Sequence, residues 1–159
     1  MGSELKLEFE YLADRPQDVP LVIDWWRTAW PDQMGNDLEL AGQQLLDSLS
    51  KTELPVHILA SLGGIPVGTA ALKQQELPEL FPEHHYWLGS VFVEEGVRGG
   101  EIASQMSLHI VEMATQLHLP HLYLQTVNLS GGLYSKLGWE SVTEFTYMDE
   151  KALLMLRIL

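Results

Sequence analysis

Val91 to Ser104 reads Val-Phe-Val-Glu-Glu-Gly-Val-Arg-Gly-Gly-Glu-Ile-Ala-Ser. That order is an apolar strand, a glycine-rich turn and the first turn of an amphipathic helix. Its chemistry is anion binding. The first N–H groups of a helix have no intrahelical partner, and the helix dipole adds positive potential there. Glycine lets a ligand approach the backbone without a Cβ in the way. The same pattern also fits an ordinary strand-to-helix connection, so its meaning depends on what flanks it. Away from the turn, His84 and His85 carry imidazoles that titrate close to neutral pH. They fit a proton acceptor and, equally, a surface position at the start of a strand. With Pro82 and Glu83 they do not make a metal-ligand spacing, and no metal is expected.

The rest of the composition narrows the chemistry. The chain contains no cysteine, which excludes disulfides, a thiol nucleophile and thiolate metal sites. Its 159 residues, 46% hydrophobic and 19% charged, suit one folded domain over residues 1–159. Nine Lys and Arg against 22 Asp and Glu give a net charge of −13. Such a surface repels nucleic-acid phosphates and attracts cations such as amines, and it also serves solubility. No apolar run has the length of a membrane span, and the N-terminus lacks a signal-peptide layout. The expectation is a cytoplasmic protein with neither nucleic-acid nor membrane partners.

Several elements must position the turn. Leu5, Leu7, Phe9 and Tyr11 alternate with polar residues, as in a half-buried strand. Asp18 is placed to cap a helix carrying Val22, Trp25, Trp26 and Ala29 on one face, with Pro31 at its end. The tryptophan pair suits a pocket wall and, more commonly, a core. Asn36 with Glu39 has capping-box spacing before a second helix. Two apolar runs across Gly63-Gly64 predict a hairpin, and Leu77 to Glu83 predicts a loop. His85 to Val93 is nearly all apolar, as a central strand would be. Ile102, Met106, His109, Ile110, Met113 and Leu117 form one helical stripe, with His109 a core residue. Leu122 to Thr126 predicts a strand parallel to the one before the helix. A short helix ends at Gly138, and two strands close the chain. The apolar run Ala152 to Leu156 offers a surface for pairing with a second copy as a homodimer.

Arg98-Gly99-Gly100-Glu101-Ile102-Ala103 resembles the Arg/Gln-x-x-Gly-x-Gly/Ala loop of the GNAT superfamily of N-acetyltransferases. Leu133-Tyr134-Ser135-Lys136-Leu137-Gly138-Trp139 is similar to the family's Tyr-x-Lys-x-Gly-Phe/Trp segment. Tyr86-Trp87-Leu88-Gly89-Ser90-Val91-Phe92-Val93 resembles a strand of its small bacterial members. The order of elements matches along the whole chain. The resemblance implies an α/β fold: a mixed sheet of six to seven strands, four flanking helices, and two central parallel strands that splay apart around acetyl-CoA.

The resemblance also implies roles. Backbone groups of Val91, Phe92 and Val93 would pair with the pantetheine arm, and a backbone N–H near Phe92 would polarise the thioester carbonyl. Backbone N–H groups from Arg98 through Gly99, Gly100, Glu101, Ile102, Ala103 and Ser104 would cradle the pyrophosphate. Asn128 would contact the cofactor. Tyr134 would protonate the leaving thiolate, since a phenol with a reference pKa of about 10 stays protonated near neutral pH. His85 aligns with the position of the family's general base, and His84 or Glu76 would also serve. The implied reaction is direct attack of a small-molecule or peptide primary amine on acetyl-CoA in a ternary complex.

Glu101 departs from the motif, standing where the family has its central glycine. A carboxylate about 4 Å from a phosphate costs on the order of 4 kcal/mol at an effective dielectric near 20. That is about a thousandfold in affinity. The side chain must therefore turn to solvent, or the chain is a catalytically silent acyl-CoA-binding module with the same fold.

Overall fold

The computed structural model describes residues 5–99 and 101–159. A single seven-stranded sheet organises them, in the order β1-β2-β3-β4-β5-β7-β6. The strands are β1 Leu7–Tyr11, β2 Val56–Leu62, β3 Ile65–Lys73, β4 Trp87–Val93, β5 His121–Thr126, β6 Glu140–Tyr147 and β7 Glu150–Ile158. The helices are α1 Val19–Ala29, α2 Pro31–Met34, α3 Leu38–Ser48, α4 Ile102–Gln116 and α5 Leu133–Lys136. Two of these five are single turns, so the expected four flanking helices become three long ones and two short ones. No helix among the described residues is long and apolar enough to cross a membrane.

All neighbouring strands run antiparallel except β4 and β5, which α4 joins as a crossover. One face of the sheet packs on α4 through Met106, Ile110 and Ala114 against Ile58, Ala70 and Leu122. The opposite face packs on α1 and α3 through Val22, Trp25 and Leu45 against Leu59 and Phe92. A third cluster joins Leu77 and Phe81 of the β3–β4 loop to Trp87, Tyr123 and Leu154. That loop therefore folds over the same face as α1.

Local chemistry differs from expectation at three places. The cap of α3 is Asp37, whose carboxylate accepts from Leu40 N at 2.9 Å, and not Asn36. Asp18 precedes α1 without a capping bond, because its carboxylate pairs with Arg15 at 3.0 Å. Pro31 opens the short α2 as well as following α1, since a proline at N1 gives up only an N–H that is orphaned anyway. The apolar run Ala152 to Leu156 is not free to pair with a second copy. It lies in β7, bonded on one edge to β5 and on the other to β6, with Leu154 and Met155 fully buried.

Candidate active site

β4 and β5 pair at Trp87 and Tyr123 and then part. Past that point the β5-facing edge of β4 is open. Edge N–H and C=O groups left this way form a template for an extended ligand. A cavity of about 550 Å³ fills the opening, lined by Val91, Phe92, Val93, Arg98, Gly99, Glu101, Ile102, Ala103 and Ser104, with Ala29, Trp30 and Leu133 closing it. The volume lies in the range of small-molecule and cofactor sites. The structure thus brings together nine of the ten residues from the strand and glycine turn that the sequence singled out. Gly100 lies outside the described residues.

The turn is built by backbone conformation. Gly99 has φ +88° and Glu101 has φ +67°, both left-handed. Glu101 is the residue preceding α4. A left-handed conformation costs a residue with a Cβ roughly 1–2 kcal/mol, which is why a glycine is natural there. The Glu101 side chain is exposed and makes no capping bond. It stands at the cavity wall without closing it. Arg98 turns back instead of forward. Its Nε donates to Val93 O at 2.8 Å, and its guanidinium lies 5.6 Å from the Phe92 ring centroid. Glu94 N bonds to Val67 O across the β3 edge, so the Val93 carbonyl faces the open side.

Tyr134 sits on α5 beside the cavity residue Leu133. Its ring packs edge-on against Trp139 with centroids 6.1 Å apart. Burial pushes its phenol pKa up, and the nearby Ser107 hydroxyl of α4 offsets part of that. The hydroxyl is therefore a protonated donor at neutral pH. Asn128 lies in the turn after β5. Its Oδ1 accepts from Ser130 N at 3.1 Å and Ser130 Oγ at 2.7 Å, which leaves its amide N–H groups uncommitted.

The three candidate proton acceptors fall in different places. His85 is exposed before β4 and does not line the cavity, and its carbonyl lies 3.0 Å from His121 Nε2. His84 stacks between Phe81 and Tyr123, with centroids 5.2 and 4.7 Å away. Glu76 lies over Gly89, two residues past the last β4–β5 pairing. Its carboxylate occupies the space above Gly89, where a Cβ would collide with it, and it pairs with Lys73 at 2.8 Å. Among the described residues no cluster of His, Asp and Glu suits a metal ion.

Sequence reasoning missed two further contacts. Trp25 donates its indole N–H to Glu94 and stacks on Phe92 with centroids 5.4 Å apart, so α1 grips the end of β4. Buried His57 of β2 packs under Trp26 at 5.6 Å. Burial, and secondarily the charge of Lys73, lower its pKa to about 4. Helical spacing signalled the tryptophans, but nothing local signalled His57.

The sequence matches the family model described as "Acetyltransferase (GNAT) family" over residues 19–139. Curated proteins give no match. Solved structures give many. A GNAT-family acetyltransferase from Streptococcus pneumoniae superposes with TM-score 0.73 at 18% identity, covering 97% of this chain and 99% of that one. An aminoglycoside 6'-acetyltransferase of type Ii gives 0.72 at 16%, covering 95% and 96%. An aminoglycoside 6'-N-acetyltransferase complexed with coenzyme A gives 0.71 at 14%, with the same two coverages. At these identities the superpositions establish the fold alone.

Proposed function

The chain belongs to the acetyltransferase (GNAT) family, whose acyl donor is acetyl-CoA, and on that premise we propose that it transfers the acetyl group to a primary amine by direct attack. The observation that carries this reading is the opened β4–β5 edge with the glycine turn and α4 N-terminus at its end, around one cavity. The pantetheine arm lies along Val91, Phe92 and Val93 as an added strand, and the pyrophosphate meets N–H groups from Arg98 to Ser104. The Arg98 side chain leaves Val93 O when the arm takes that acceptor.

In the reaction the amine nitrogen bonds to the thioester carbon, and the carbonyl oxygen becomes an oxyanion held by a β4 N–H beside Phe92. The C–S bond then breaks. The ammonium proton passes to Glu76, directly or through a water, because this carboxylate lies over Gly89, two residues past the last β4–β5 pairing. The thiolate takes a proton from Tyr134. Direct attack agrees with the absence of cysteine, which rules out an acetyl-cysteine intermediate. The aminoglycoside enzymes among the structural neighbours support an amine acceptor.

The test is calorimetric titration with acetyl-CoA, followed by assay of CoA release with amines. Micromolar binding is expected. Tyr134→Phe should lower kcat by about 10²–10⁴-fold while acetyl-CoA affinity stays within a few fold. Glu101 favours a second reading, a module that holds acyl-CoA without turnover. Binding without CoA release across a broad amine panel would establish that reading, and no binding at millimolar acetyl-CoA would sink both.

A further inference from the structure

His57, Ala71 and Gly89 lie opposite one another on β2, β3 and β4, a straight row across the sheet. The row ends at Gly89, two residues past the last pairing of β4 with β5, so one end opens at the parting of the strands. Two of its three residues, Ala71 and Gly89, are the smallest available. Its roof is made of side chains: Trp26 over His57, and the Lys73–Glu76 pair over Gly89.

Two buried polar atoms around this row lack a hydrogen-bond partner, Trp26 Nε1 and His57 Nδ1, while Glu76 Oε2 is held by the chain's own Lys73. An unpaired buried polar group is costly, and native structures rarely keep two side by side without a ligand or water. His57 is only 6% exposed, and its lowered pKa keeps it neutral near pH 7, with one donor and one acceptor. Glu76 Oε2 meets the ammonium of Lys73, whose methylene stem lies so close to Gly89 that a Cβ there would be 2.9 Å from its Cδ. An aliphatic primary amine thus already lies along the row, and it belongs to the chain itself.

We propose that this row is the acceptor subsite, and that it selects a small primary amine carrying a second hydrogen-bonding group. The acceptor's ammonium exchanges with that of Lys73 on Glu76. Its second group sits between the Trp26 N–H and His57 Nδ1. Naming the amine an acceptor rests on the acetyl-transfer reading; the subsite itself does not. Two strand spacings separate Gly89 from His57, about 10 Å, and a hydrogen bond at the far end leaves roughly 6–7 Å between the two polar groups of the ligand.

The probes are 4-aminobutan-1-ol, which spans that length, and pentylamine, which matches its size without the hydroxyl. Each is titrated into the full chain, with and without CoA, while the indole ¹⁵N–H signals are followed. Trp26→Phe identifies its own signal. The Trp26 indole should shift with the amino alcohol, whose dissociation constant should be about tenfold lower than that of pentylamine. Trp26→Phe and His57→Leu should each erase that preference, and Glu76→Gln should weaken both amines alike. His57→Leu removes an unsatisfied polar atom and keeps the volume, so it should fold. No shift of the Trp26 indole up to about 100 mM amine (the outcome if only a water fills the site), equal constants for the two amines, or a preference that survives both substitutions would each overturn the proposal. If acetyl-CoA fails to bind or no CoA is released, the transfer reading falls, and this titration still decides the subsite on its own.

Discussion

On one side of the β4–β5 opening the contacts are made by main chain. The described residues from Arg98 to Ser104 contribute two left-handed residues, Gly99 and Glu101, and the start of α4. On the other side they are made by side chains: Trp26 from α1, His57 from β2, Lys73 from β3 and Glu76 from the following loop. A main-chain cradle is insensitive to most substitutions, because its donors are present whatever the side chains are. A side-chain wall is specific, and a change in any member alters what fits. On the proposed reading, a generic grip on a cofactor thus adjoins a particular choice of acceptor. The two sides should therefore fail separately under mutation.

The largest expected effect lies on the side-chain wall. His57 has its pKa lowered from 6.5 to about 4, chiefly by burial and then by Lys73. The unfolded chain binds a proton as pH falls through 6.5, whereas the folded one resists until about 4. Stability is therefore lost as pH falls through this window, by about 3 kcal/mol in all. Urea unfolding of the wild type and His57→Leu at pH 7 and pH 4.5 isolates this contribution from the carboxylates, which both proteins share. The variant should lose less stability than the wild type on acidification. Parallel losses would mean that His57 accepts its proton in place.

A smaller effect is expected where the wall meets the strand. A methyl group at Gly89 would collide with the Glu76 carboxylate and press on the Lys73 stem. Both belong to long, flexible side chains, so Gly89→Ala should fold and displace them. The expected outcome is an acceptor KM raised by about tenfold, with acetyl-CoA affinity within twofold of wild type. A matching loss in acetyl-CoA affinity would show that the two sides are coupled through β4.

The same division explains what the sequence made legible. The cofactor side is contiguous: strand, glycine turn and helix stripe follow one another, and each has a local signature. The acceptor row draws on positions 26, 57, 71, 76 and 89, which register alone brings together. That register includes an irregularity. Thr69 pairs with Phe92 and Ala71 with Gly89, so two residues of β3 span three of β4. Ser90, at φ +54°, lies in the bulge, and no residue type there announces it. Without the bulge, alternation would turn Gly89 to the opposite face from Phe92. The two tryptophans show the same limit. Helical spacing favoured core over pocket wall for both alike, yet Trp25 is 4% exposed while Trp26 is only half-buried, with its N–H unpaired.

The smallest effect belongs to the cofactor side, at the residue that breaks the family pattern. Glu101 holds a left-handed conformation beside the pyrophosphate cradle, with its carboxylate exposed. Solvent screening of an exposed charge reduces the penalty well below the roughly 4 kcal/mol of an unscreened neighbour. Glu101→Gly should therefore tighten acetyl-CoA by about tenfold at low salt, and by less as salt rises over the screening range. Relief of the left-handed backbone offsets the added freedom of glycine in the unfolded chain, for a net stabilisation of up to about 1 kcal/mol. Amine KM should not move, because the acceptor row shares no side chain with the turn. A thousandfold gain would mean that the carboxylate points at the phosphates in the complex. An unchanged affinity at every salt concentration would mean that it has swung clear, and that the cradle works through backbone donors alone.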